Sequence, residues 1–116
     1  MKWLVALVCV VGCAKSSSEP APAADERATI SEGELTRGQD ACKAYVDKIC
    51  ACTAPGAKDE CARARALPEA MRVSLEVARS PDSTPKDTAL ALDGVRKTAK
   101  SCIEQIAKLP GIGCGP

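Results

Sequence analysis

Histidine and phenylalanine are absent from this chain, and tryptophan and tyrosine occur once each. Each absence removes a class of function. Without imidazole there is no Ser-His-Asp triad, no Cys-His pair and no histidine ligand for a metal. An aromatic content of 2% leaves no platform on which nucleobases stack. Excess charge is missing as well. Sixteen basic and fifteen acidic side chains leave a net charge of +1, which is no footprint for a polyanion. No segment alternates with period two between turn signals, so no sheet is expected. The 116 residues leave room for one domain at most, and no nucleophile or acid–base constellation stands out in them. We therefore expect no enzyme, no catalytic residues, no cofactor, no bound metal and no nucleic-acid partner, and we identify no small-molecule substrate.

What the chain does have is eight cysteines, and their positions divide it. Lys2 precedes an apolar run from Trp3 to Val11. That run is far short of the about 20 residues a membrane-spanning helix needs, but it has the form of a signal-peptide core. It ends in Val10-Val11-Gly12-Cys13, which resembles the lipobox of bacterial lipoprotein precursors, with valine where leucine is usual. The resemblance implies a signal peptide over 1–12, cleavage after Gly12, and palmitate-type lipidation of Cys13. Cys9 would leave with the signal. Two or three acyl chains anchor a protein stably where one does not. The other reading of the same residues is a secreted chain cut after Ala14. Ala14 is not the aspartate that the family associates with inner-membrane retention. The resemblance thus implies a lipid-anchored envelope protein on the outer membrane, facing the periplasm.

Residues 13–30 are the lipidated N-terminus and a tether. The stretch KSSSEPAPAADERA has the serine, proline and alanine content of a linker and no apolar periodicity. The helical, cysteine-rich domain is expected over 31–116. Ser31 and Glu34 form an S-x-x-E capping box. Behind it Leu35, Cys42, Val46, Ile49 and Thr53 recur at helical spacing, predicting a first helix over about 33–53 with Tyr45 half-buried beside the stripe. A second helix is expected over about 59–79, kinked or divided by Pro68. Thr84-Pro85 with Asp87 starts a third, over about 85–109. Its buried stripe is read as Leu92, Val95, Ala99, Cys102, Ile103 and Ile106. The fold class is all-α: a small three-helix bundle, or a helical hairpin plus a third helix, stapled by disulfides.

Six cysteines belong to that domain: Cys42, Cys50, Cys52, Cys61, Cys102 and Cys114. An even number in a small exported chain reads as a disulfide framework. An alanine-rich core without phenylalanine needs such staples. Spacing favours the pairs Cys52–Cys61 across one turn, Cys50–Cys102 at a common height, and Cys42–Cys114 through a folded-back tail. Cys50 and Cys52 point about 200° apart on a helix, which suits two bridges to two neighbours and not chelation. The cluster Cys42-x-x-Tyr45, Cys50-x-Cys52 and Cys61 is similar to small cysteine-rich helical lipoproteins of Gram-negative bacteria.

The second helix holds the candidate site. Arg65, Glu69, Arg72, Glu76 and Arg79 share one sector with alternating sign, the pattern of a solvated face. Two apolar stripes occupy the rest. Ala64, Leu67, Met71, Leu75 and Ala78 form one and Ala66, Ala70, Val73 and Val77 the other, so the helix either packs between two neighbours or leaves one stripe for a partner, and the second stripe is taken as that surface. The expected function is a tethered, non-catalytic interaction module whose envelope partner is not specified by the sequence. Two alternatives remain open: cysteine-dependent metal handling, and a purely structural envelope component. Asp40, Asp47, Asp59 and Glu60 read as solvated helix surface.

Overall fold

The computed structural model describes residues 29–115. The stretches expected to be signal peptide and lipobox, Cys13 included, and nearly all of the expected tether lie outside the described residues. Within them the protein is all-α, without strands, and is held by three disulfides.

Helix α1 spans Glu32–Ala51. The Ser31 hydroxyl accepts the Glu34 N–H at 3.1 Å, satisfying one of the orphan donors of the first turn, and Glu32 and Glu34 place negative charge at the positive end of the helix dipole. Its buried residues are Leu35, Gly38, Cys42, Tyr45 and Ile49, a run of three- and four-residue steps along one face. Tyr45 is more deeply buried than its place beside the stripe implies, and burial pushes its phenol above the ordinary value. The helix stops at Ala51, and Cys52 is already extended.

The expected second helix is two. Helix α2 spans Ala57–Ala64 and α3 spans Ala66–Arg79, with the break at Arg65. Pro68 causes it from three residues downstream. Its missing N–H leaves the Ala64 carbonyl without an i→i−4 partner, and its ring crowds that carbonyl. The chain turns at Arg65, whose N–H bonds the Cys61 carbonyl at 3.1 Å. Pro68 then falls in the first turn of α3, where a missing donor costs nothing.

Helix α4 spans Pro85–Lys108 and continues into a 3-10 turn over Leu109–Ile112. Its start is a full capping box. Asp87 N–H donates to the Thr84 hydroxyl at 3.1 Å and the Asp87 carboxylate accepts the Thr84 N–H at 3.1 Å. Hydrogen bonds from the Thr84 side chain and backbone hold the Asp87 carboxyl below its ordinary value. A carboxyl depressed in the folded state stabilises fully above its unfolded pKa and loses that contribution as pH falls through the folded one. Thr84→Ala is therefore expected to cost about 1 kcal/mol near neutral pH. The gap to wild type should narrow as pH falls below the ordinary aspartate value of about 4 and on through the depressed value of Asp87. Thermal melts of both proteins across that range check it.

Helix α4 is the central element, packed against α1 on one side and α3 on the other, while α2 packs on α1. Helices α1 and α4 run parallel, and two contacts set their register. Arg96 on α4 donates to the Glu34 carboxylate at 2.8 Å and to the Thr29 carbonyl at 2.6 Å. Further along, Gly38 brings the helices together: a β-carbon there would lie 2.9 Å from that of Ala99 and 3.7 Å from the Met71 methyl. The centre of the core is a cystine. The largest fully buried side chains are Ile49, Val95, Cys42 and Cys102. Ile103, expected in the buried stripe, is 56% exposed. It is turned about 100° from Cys102, past the edge of the face that α1 covers.

The same register corrects the expected pairing. The disulfides are Cys42–Cys102, Cys50–Cys61 and Cys52–Cys114, not Cys52–Cys61, Cys50–Cys102 and Cys42–Cys114. With Gly38 against Ala99, Cys102 stands at the height of Cys42, two helical turns below Cys50. Cys50 is still helical and faces α2, so Cys61 is its neighbour, with Cα atoms 4.7 Å apart. Cys52 lies past the helix end in extended backbone and points to the tail. The tail folds back only onto the 3-10 turn and does not reach Cys42. Gly113, at φ +82°, closes the 3-10 turn, and Cys114 N–H bonds the Leu109 carbonyl at 2.9 Å, presenting its sulfur to Cys52. Cys50 and Cys52 do bridge to two different neighbours, but Cys52 does so from extended backbone beyond the helix end and not through a helical divergence of about 200°.

Candidate functional site

Burying Met71 and Leu75 against α1 and α4 turns the opposite face of α3 to solvent. Ala66, Ala70, Val73 and Val77 are all exposed, with Val73 at 46% and Val77 at 44%. They do not form the surface alone. Leu90 of α4, 61% exposed, stands beside Val73 and Val77 across a shallow groove of about 490 Å³, with Ser74 and Ala91 in its walls and Asp82 and Asp87 at its end. The helices approach closely here: a β-carbon on Gly94 would sit 3.3 Å from the Ser74 hydroxyl. Leu90 was not among the residues singled out from the sequence, but a signal for it was present. It precedes Leu92 by two residues and so points about 200° away from the buried stripe.

One edge of this face carries the alternating charges. Arg72 bonds both Glu69, from its Nε at 3.0 Å, and Glu76. The Arg72 hydrogen bond holds the Glu69 carboxyl below its ordinary value. These are exposed pairs, which fix side-chain positions more than they stabilise the fold.

A second concavity has no counterpart in the sequence reading. Helices α1 and α3 diverge, and a cleft of about 750 Å³ opens between them. Cys42, Val46, Pro68, Met71 and Leu75 supply its apolar lining. Lys43 and Asp47 lie on one bank, Arg72 and Glu76 on the other, with Gln39, Arg79 and Ser80 at one end.

The remaining candidates are placed as surface. Asp47 pairs with Lys43 at 2.9 Å, and Glu60 pairs with Arg63, whose hydrogen bond lowers the Glu60 carboxyl. All six cysteine sulfurs among the described residues are in disulfides. None of the described helices is long and apolar enough to cross a membrane.

Fold and surface together define a small all-α, disulfide-stapled protein. No family model, curated protein or solved structure matches the chain.

Proposed function

We propose that this protein is a non-catalytic interaction module of the cell envelope, held by lipid on Cys13 and presented on the tether over 13–30. The observation that carries the reading is the apolar face of α3 and α4. Ala66, Ala70, Val73 and Val77 are exposed together, and Leu90 extends them. Exposed apolar residues grouped on one face mark interaction sites, and this face fits a protein partner. The anchor rests on Val10-Val11-Gly12-Cys13 behind the apolar run, and the placement on the outer membrane, facing the periplasm, rests on Ala14.

The test is co-purification from chemically crosslinked envelopes of a bacterial host carrying the native partner set. Wild type is expected to retain a discrete partner that the double variant Val73→Glu/Val77→Glu loses by tenfold or more. Both substitutions are on an exposed face, so the melting temperature should stay within a few degrees of wild type. Equal recovery by both proteins would refute the surface.

A further inference from the structure

We propose that the cleft between α1 and α3 binds a single-chain fatty acid, its alkyl chain lying over Met71 and Leu75 and its carboxylate on Arg79. The volume of about 750 Å³ lies within the range of small-molecule sites. Along α3 the cleft runs from Pro68 to Arg79, roughly 16 Å at the helical rise, a span suited to a medium-length chain such as laurate.

Two observations select this occupant. The first is the polarity of the lining. The floor, made of Cys42, Val46, Pro68, Met71 and Leu75, has no side-chain N–H or O–H to offer the backbone of a peptide, and the polar groups lie on the banks and at the end. An alkyl chain needs no such partners. The second is charge. Lys43 is taken by Asp47 at 2.9 Å, and Arg72 by Glu69 and Glu76. Among the described residues, Arg79 is the one cation of the cleft without a carboxylate partner, and it stands at the end of the apolar floor beside Gln39 and Ser80. One unneutralised guanidinium at the end of an apolar trough is the complement of one carboxylate on an alkyl chain. This site is separate from the outer face of α3, because Met71 and Leu75 point to the opposite side of the helix from Val73 and Val77.

The test is photolabelling of the purified full chain, disulfides intact, with a diazirine-bearing lauric acid, followed by mapping of the labelled peptides. The label is expected within residues 39–47 and 67–80 and should be suppressed by excess laurate but not by its methyl ester. Arg79→Glu, on an exposed position, should reduce labelling at least tenfold, and Arg79→Lys should retain most of it. Val46→Trp, which fills the cleft from α1, should abolish it, while Leu90→Glu on the other face should leave it unchanged. Absent or scattered labelling, equal competition by the methyl ester, or full labelling of a folded Arg79→Glu protein would overturn the proposal.

Discussion

Full reduction is expected to unfold the helical domain at room temperature, with loss of most of its helical circular dichroism. The loops explain why. Cys42–Cys102 closes 60 residues and Cys50–Cys61 closes 11, worth about 4 and about 3 kcal/mol in the chain-entropy account. Cys52–Cys114 spans 62 residues, but once Cys42–Cys102 is closed the loop it adds shrinks to the short arms beyond that bridge, leaving about 3 kcal/mol. The three together are comparable with the whole stability of a typical domain, about 5–15 kcal/mol. The central bridge is also core, since Cys42 and Cys102 are among the largest fully buried side chains. The double variant Cys42→Ala/Cys102→Ala should therefore lower the melting temperature by roughly 15–30 °C, the shift that a loss of about 4 kcal/mol gives in a domain of this size. Removing Cys50 and Cys61 should cost less. An unchanged melt after reduction would mean that the helices carry the fold without the sulfurs.

The second large effect is expected at Gly38. Glycine inside a helix is disfavoured against alanine by about 1 kcal/mol, so an exposed Gly→Ala change would stabilise. Here the added β-carbon meets that of Ala99 at 2.9 Å, closer than real contacts allow. Neither atom is the end of a flexible chain, so the α1–α4 backbones must separate, and overpacking of this kind costs about 1–3 kcal/mol. Gly38→Ala is expected to destabilise despite its better propensity, and Gly38→Val to disrupt the domain. Ala99→Gly should rescue Gly38→Ala by restoring the space. Chemical denaturation of the singles and the double gives the coupling directly. Additive effects would show that these two positions do not set the register.

The local signals in this chain are legible, because each concerns a few adjacent residues. Ser31 with Glu34, and Thr84 with Pro85 and Asp87, mark two helix starts. The stripes containing Leu35, Cys42 and Ile49, Met71 and Leu75, and Leu92, Val95 and Cys102 mark what is buried. The face with Ala66, Ala70, Val73 and Val77 was legible for the same reason: an apolar arc too wide for one neighbour. The pairing of the cysteines was not. It depends on a one-atom clearance between Gly38 and Ala99, sixty-one residues apart, and a shift of two turns there exchanges Cys50 for Cys42 as the neighbour of Cys102. Ile103 lies outside the stripe because α1 covers a narrower arc of α4 than periodicity allows. The break at Arg65 in place of Pro68 follows from the carbonyl that proline leaves stranded one turn earlier. The cleft between α1 and α3 arises from the divergence of two helices, which no stripe records.

The proposed partner surface is the outer face of α3. Its most direct test is a photo-crosslinking amino acid placed at Val77 and, separately, at Lys48 on the exposed side of α1, in living cells. A discrete adduct is expected from Val77 that Val73→Glu removes, and no such adduct from Lys48. The same adducts from both positions, or none from Val77, would contradict it.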